Sequence, residues 1–445
     1  MTMDNYTQPF NPALPQTADG IKDNKLNSYF PIRTKNNVFD NNTVIGLVLR
    51  SILRKKVEDY SYEEFVVDCQ SVFQEKIGEE EFWQVLKEMY FDNEDIFTIS
   101  PELLLFRAQK VKFSAGNSRI ASMYTNLIQN MRIEEFDAKL NFIEREMLST
   151  LREKMKPDSS FQASEKPYLP YLSKAFRDDL KFLASRPKYL LSEIESFLSF
   201  YGFTYTAQLS LALTDWRNGQ EPMAKPLYFI MDHERASNER IHIKNHGYKL
   251  FNESSTFLFP ILAMLELLQP GSGDKNAIKI PLWEVSKGIQ ESKSPHLKDQ
   301  LENFARAFKS KRSLDTSLDE SESALDWLGN IMKLASAQFS VGERFNINKK
   351  YVAEVEKYLA SHFIQSRGRS GRVLVLNQDY LILLTNLVVG EKDKLRFHEL
   401  ITAFEQRGIF VDKQTEQELI KFYERIGNVE RMSDSGDAVY VRKTI

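Results

Sequence analysis

The C-terminal part of the chain, Asn377–Ile445, carries the pattern that most constrains the fold. Its predicted order is helix, helix, short strand, helix and hairpin, with glycines or polar turns at the boundaries. The residues concerned are Gln378–Val389, the apolar face of Phe397, Leu400, Ile401 and Phe404, the segment Thr415–Ile426, which begins with the capping-box spacing Thr415-x-x-Glu418, and the strands Val429–Met432 and Ala438–Arg442. This order predicts a winged helix-turn-helix, and it points towards DNA.

The remainder predicts a mainly α, multi-domain helical body, because apolar residues recur at spacings of three and four. The predicted helices include Tyr62–Ile77, Glu134–Lys154, Lys188–Tyr201 and Lys349–Gln365. Residues 1–42 read as an extended N-terminal arm, 43–156 as a helical domain and 167–340 as a helical domain with little strand. Residues 345–445 would hold a linker helix, a basic loop and the winged helix-turn-helix. The polar segment Lys156–Lys166 is the best linker, and Leu227–Met231 is the one strand expected in the body.

Composition narrows the class of protein. The net charge is −3, so any contact with DNA must come from a local basic patch. Cys69 is the single cysteine, which excludes an internal disulfide framework and a cysteine zinc site. The N-terminus lacks a secretory signal and no apolar run reaches ~18 residues. We therefore expect a soluble, cytoplasmic protein without a membrane partner.

The motifs of common enzymes are missing. The sequence contains no GxxxxGK[ST], GxGxxG or GxSxG, which argues against a P-loop ATPase, a Rossmann dehydrogenase and an α/β-hydrolase. Asp-x-Lys occurs at Asp137–Lys139 and Asp179–Lys181, as in some metal-dependent nucleases. Both are interpreted as solvated charges on amphipathic helices. A non-catalytic protein without a cofactor is therefore predicted.

Three of the six histidines fall between Asp232 and His246. His242 and His246 would share a helix face, and His233 with Asp232 and Glu234 could complete a metal site. Arginines and lysines crowd the same segment. A mixed-charge surface is the favoured interpretation, a phosphate-contacting patch comes second, and a metal site comes last.

Positive charge is concentrated beside and within the predicted winged helix-turn-helix. The candidate DNA or partner contacts are Arg367, Arg369 and Arg372 on a Gly/Ser-rich loop, Lys421 and Arg425 on the recognition helix, and Arg431, Arg442 and Lys443 on the wing. The wing tip, Ser433–Asp437, is acidic, and the recognition helix also exposes Glu416 and Glu424. We therefore expect contact with the DNA backbone or with a protein rather than the reading of bases.

The amino-acid sequences of several segments resemble one family, that of the DNA phosphorothioation-dependent restriction protein DptG. The segments Val373–Thr385, Phe404–Asp412 and Ser433–Val441 resemble its C-terminal part, and Leu26–Arg33 and Ala224–Asp232 are similar too. The resemblance covers most of the chain and is most specific near its end.

The resemblance implies a subunit of a bacterial defence system against foreign DNA. In such systems one set of proteins replaces a non-bridging phosphate oxygen of host DNA by sulfur, and a companion set attacks DNA that lacks it. Partners similar to DptF and DptH would supply the ATPase or helicase-like functions. Double-stranded DNA would be contacted without sequence specificity, and the resemblance assigns no catalytic residue here.

Four hypotheses follow from these patterns. The first is a non-catalytic subunit that contacts the DNA backbone, and the second is a protein scaffold that leaves DNA to its partners. The third is a winged-helix transcription regulator, which the near-neutral recognition helix disfavours. The fourth, a nuclease with an unrecognised site, has the least support.

Overall fold

The structure, a computed structural model, describes residues 10–12, 14–15, 24–78, 80–108, 114–158, 163–236, 239–271, 277–292, 294, 296–432 and 438–445. As predicted, the chain is mainly helical. The α-helices are α1 (Asn41–Leu53), α2 (Tyr62–Ile77), α3 (Glu80–Leu86), α4 (Ala115–Ile128), α5 (Phe142–Lys154), α6 (Pro170–Ala184), α7 (Pro187–Ala212), α8 (Ile241–His246), α9 (Tyr248–Ser255), α10 (Leu258–Leu265), α11 (Leu282–Glu291), α12 (His296–Arg312), α13 (Ala324–Ala337), α14 (Gly342–Val355), α15 (Gln378–Val389), α16 (Phe397–Glu405) and α17 (Lys413–Arg425).

The strands are short and form three small sheets among the described residues. They are β1 (Lys55–Lys56), β2 (Lys156–Pro157), β3 (Tyr228–Met231), β4 (Ile364–Ser366), β5 (Arg372–Leu376), β6 (Lys394–Arg396), β7 (Phe410–Val411), β8 (Val429–Met432) and β9 (Ala438–Arg442). The predicted strand at Leu227–Met231 is thus present as β3. Its neighbours are β5 and β7, and both pair with it in parallel: Ile230 lies opposite Val375, and Tyr228 lies opposite Phe410.

The last part of the chain, Asn377–Ile445, is hereafter called the C-terminal module. Its elements follow in the order α15, β6, α16, β7, α17, β8 and β9, and its sheet has the order β6-β9-β8. Inside the module, the hydroxyls of Thr385 on α15 and Tyr423 on α17 lie 2.7 Å apart. The helices therefore pack on one another and on the hairpin that ends the chain.

The C-terminal module shares its hydrophobic core with the rest of the described chain. One cluster of buried apolar side chains extends from Leu26, through the helices, to Val441. The module also pairs β7 with β3, so that a strand of the body lies between two strands that come much later. The division into domains stays a prediction. The segments before and after the predicted boundary at residues 340–345 nevertheless share one core.

The segment predicted as an extended N-terminal arm is described at residues 10–12, 14–15 and 24–42, and the rest of it lies outside the described residues. Leu26, Tyr29, Phe30 and Ile32 are at most 1% exposed. The ring of Phe30 stacks on that of Phe259, with centroids 5.6 Å apart. These four side chains belong to the hydrophobic core, so this part of the predicted arm packs on the body.

Several predicted boundaries differ from the observed ones. The helix predicted over Glu134–Lys154 begins only at Phe142, because Asn141 and Glu144 form a capping box there. Asp137 and Lys139 consequently lie in an irregular segment, and their assignment to an amphipathic helix is wrong. The helix predicted to end at Gln365 gives way to β4, because Ile364–Ser366 pairs with β5.

Within the described part of the chain, no helix combines the length and the apolar character that crossing a membrane requires.

Candidate nucleic-acid or partner interface

The N-terminus of α17, the predicted recognition helix, is fixed by the body of the protein. Asp412 caps the helix and accepts a hydrogen bond from the Thr415 amide at 3.0 Å. The capping box predicted at Thr415 and Glu418 is therefore wrong, because the helix begins at Lys413. Thr415 is buried, and its hydroxyl accepts from the Arg240 guanidinium at 2.6 Å and donates to Glu234 at 3.1 Å.

Arg240 connects the two carboxylates around this helix start. Its Nε and Nη2 donate to Asp412 at 2.8 and 2.5 Å, and its Nη1 donates to Glu234 at 2.7 Å. Burial disfavours the charged form of Asp412, but the bonds from Arg240 and the Thr415 amide outweigh it and hold the pKa of this carboxyl below its usual value. Sequence reasoning placed Arg240 on a mixed-charge surface, so this buried cluster was missed.

The exposed face of α17 carries charges that the helix itself balances. Lys421 Nζ lies 2.8 Å from Glu418 Oε1, and Lys413 Nζ lies 2.8 Å from Glu416 Oε2. Arg425 is exposed and its guanidinium lies 5.7 Å from the ring centre of Phe422. Such a face presents little net positive charge to a phosphate backbone.

The cations of the predicted wing are balanced in the same way. Arg431 pairs with Glu424 of α17, and Arg442 pairs with Glu430 of β8. Lys443 turns inwards and donates to the backbone carbonyls of Gly390 and Lys392, both at 3.0 Å. The tip, Ser433–Asp437, lies outside the described residues.

The basic loop belongs to a different sheet. Residues Gly368–Ser370 form a short turn between β4 and β5, where Ser366 lies opposite Arg372. Arg367 donates to the carbonyl of Asp232. Arg372 pairs with Glu356 at 2.8 Å and lies over the ring of Tyr248, 4.5 Å from its centre. The side chain of Arg369 lies outside the described residues. Arg367 and Arg372 thus bind the body, away from the contacts of Arg431 and Arg442.

The histidines do not form a metal site within the described part of the chain, where no group of three or more metal-binding side chains is found. His242 stacks on Tyr228, with ring centroids 4.9 Å apart, and His246 lies 6.1 Å from His242. Glu234, one of the candidate metal ligands, is 5% exposed and forms an ion pair with Arg240. His242 and His246 are exposed, as on the mixed-charge surface of the favoured interpretation, whereas Glu234 and Arg240 are buried.

Asp179, one half of the second Asp-x-Lys motif, is 1% exposed. Its interpretation as a solvated helix charge is therefore wrong. It lies on α6 and accepts hydrogen bonds from Arg407, just after α16, and from the hydroxyl of Tyr201 on α7. All three side chains are satisfied by one another, so the carboxylate serves packing between the C-terminal module and the body.

Comparison of the chain with models of known protein families and with curated proteins finds no match. The relation to the DptG family therefore stays an expectation that rests on the sequence segments quoted above.

Proposed function

We propose that the C-terminal module is a winged helix-turn-helix and that the chain is a non-catalytic, cytoplasmic subunit of a bacterial phosphorothioation-dependent restriction complex. The order of its elements and the β6-β9-β8 sheet support the first part. The resemblance to the DptG family supports the second. In this proposal the module docks an ATPase or helicase-like partner similar to DptF or DptH.

We favour protein docking over DNA binding because cations of α17 and the wing are already paired with carboxylates of this chain. Lys421, Arg431 and Arg442 each form an ion pair with a carboxylate of this chain. Contact with DNA would have to break these pairs or bring Glu418, Glu424 and Glu430 close to phosphates. A protein surface of mixed charge, in contrast, can match both signs at once.

A matched pair of double variants tests the docking surface. Gln417→Ala/Lys421→Ala removes an exposed amide and an exposed lysine one turn apart on α17. Asn346→Ala/Lys350→Ala removes the same two chemical types at the same spacing on α14. Each full-length variant is co-expressed with the DptF-like and DptH-like partners, and the assembled complex is quantified after affinity purification.

We expect the α17 variant to lose the partners and the α14 variant to retain them. Equal recovery of the complex with both variants would contradict docking through α17. Loss of duplex binding in the α17 variant with the complex intact would instead favour direct contact with the DNA backbone. Protection of one palindromic sequence by the isolated protein would favour a transcription regulator.

A further inference from the structure

A cleft beside α6 concentrates positive charge that the proposed function does not use. It has a volume of about 520 Å³ and lies between the residues that follow α4 and one face of α6. We call it the α4–α6 cleft. Its lining residues are Gln129, Asn130, Met131, Arg132, Pro167, Pro170, Ser173, Arg177 and Lys181.

The cations of the cleft converge from two elements. Ser173, Arg177 and Lys181 are spaced four residues apart on α6 and therefore share one helix face. Arg132 faces them from the segment after α4. None of the lining residues is an aspartate or a glutamate. Within the described part of the chain, Arg132 and Lys181 form no ion pair, unlike Lys421, Arg431 and Arg442 on the C-terminal module.

Arg177 is held in place before any ligand arrives. Its Nη1 donates to the hydroxyl of Ser173 at 2.6 Å and to the carbonyl of Leu127 at 3.2 Å. Ser173 is buried and donates to the same carbonyl at 2.8 Å. The carboxylate nearest in sequence, Asp178, is exposed and pairs with Lys174 at 2.6 Å. These bonds fix the guanidinium, and among the described residues its Nε and Nη2 have no partner, so that their N–H groups can bind an oxyanion.

A fourth cation adds to the field around the cleft. Arg54, which follows α1, donates to the carbonyl of Gln129 at 2.9 Å. Burial and the repulsion of Arg132 lower the pKa of Arg54, while Asp158 acts in the opposite direction. Because no residue that lines the cleft is acidic, a bound anion would offset the repulsion between Arg132 and Arg54.

We propose that the α4–α6 cleft binds a phosphate group through Arg132, Arg177 and Lys181. At about 520 Å³ the cleft is larger than one phosphate needs, so that a phosphate within a nucleic-acid backbone and a phosphate on a small molecule can both enter it. The proposal does not depend on the docking role of the C-terminal module.

The test uses the full-length protein and two probes, a short DNA duplex with 5′-hydroxyl ends and inorganic phosphate. Arg132→Ala/Lys181→Ala removes the two exposed cations of the cleft, and Lys35→Ala/Lys350→Ala removes two exposed lysines elsewhere. Duplex binding is followed by fluorescence anisotropy over a range of salt concentrations, and phosphate binding by titration calorimetry. Because all four side chains are exposed, the variants should fold, and circular dichroism checks that they do.

We expect the cleft variant to bind its ligand about tenfold more weakly than the wild type, and the control variant to bind within about twofold. If the ligand is a nucleic-acid backbone, the slope of log K against log salt also falls by about 2, one for each lost phosphate contact. If only inorganic phosphate binding weakens, the ligand is a small phosphate ester. Unchanged binding of both probes, or no binding by the wild type at low salt, overturns the proposal. The charge reversal Lys181→Glu should weaken binding further than Lys181→Ala.

Discussion

Arg407 and Asp179 lie 228 residues apart in the sequence and form a buried ion pair between the C-terminal module and α6. Arg407 Nε donates to Asp179 Oδ2 at 2.8 Å, and the two side chains are 9% and 2% exposed. Burial opposes the charged guanidinium, but Asp179 overcomes it and raises the pKa of Arg407. The pair joins two distant parts of one core.

Breaking this pair should destabilise the protein strongly. Asp179→Ala leaves the buried Arg407 guanidinium without its carboxylate partner, and we expect the free energy of unfolding to fall by about 3–5 kcal/mol. The neighbouring substitution Asp178→Ala breaks only an exposed pair with Lys174 and should change it by less than about 0.5 kcal/mol. Urea unfolding measures both. Similar losses for the two variants would contradict the role assigned to Asp179.

The interaction that holds the start of α17 to Arg240 should weaken at acid pH. Because the pKa of Asp412 is below its usual value of 3.8, its ionised form stabilises the fold above that pH, and this contribution is lost as the pH falls through the lowered value. Thermal unfolding of the wild type and of Asp412→Asn should therefore differ near neutral pH and converge in acid. A difference in Tm that persists unchanged in acid would show that Asp412 does not act through its charge.

Two glycines of the C-terminal module should respond differently to substitution by alanine. Both Gly408 and Gly427 have positive φ, +82° and +75°. At Gly408 a Cβ would lie 2.6 Å from Cγ of Gln208, which is buried and hydrogen-bonded to Lys225, whereas at Gly427 it would meet nothing within 4 Å. Gly427→Ala should cost about 1 kcal/mol and Gly408→Ala about 1–3 kcal/mol more. Equal losses in urea unfolding would contradict the close approach.

The thiol of Cys69 should be unreactive in the folded protein. It is 0% exposed on α2, and burial raises its pKa above the usual value. Ellman's reagent requires an accessible thiolate, so we expect its reaction to be slow in buffer and complete in denaturant. Variant Asp179→Ala should react faster than Asp178→Ala in buffer, since it unfolds more often. Fast reaction of the wild type would indicate local opening around α2.

Local patterns predicted most of the helices. Tyr62–Ile77 and Gln378–Val389 were expected with the bounds observed, because their ends carry capping residues and glycines that act over a few positions. The hairpin strands Val429–Met432 and Ala438–Arg442 also agree. Helix α7, in contrast, continues from Tyr201 to Ala212, because its second half is buried on nearly all sides and lacks an amphipathic pattern.

Pairing between distant residues was not predictable from the sequence. A buried carboxylate such as Asp179 and an exposed one such as Asp178 look alike when only neighbouring residues are considered. The same holds for Arg240, whose partners Asp412 and Thr415 come much later in the chain. The candidate contacts Arg431 and Arg442 were identified as cations, but the carboxylates that balance them were visible only in the structure.

The position of β3 between β5 and β7 also bears on how the chain folds during synthesis. A ribosome releases Tyr228–Met231 well before Arg372–Leu376 and Phe410–Val411. This apolar strand therefore stays unpaired until both neighbouring strands have been synthesised. Such distant pairings form slowly, and an unpaired strand edge favours aggregation. The nascent protein is therefore most vulnerable between the synthesis of β3 and that of β7.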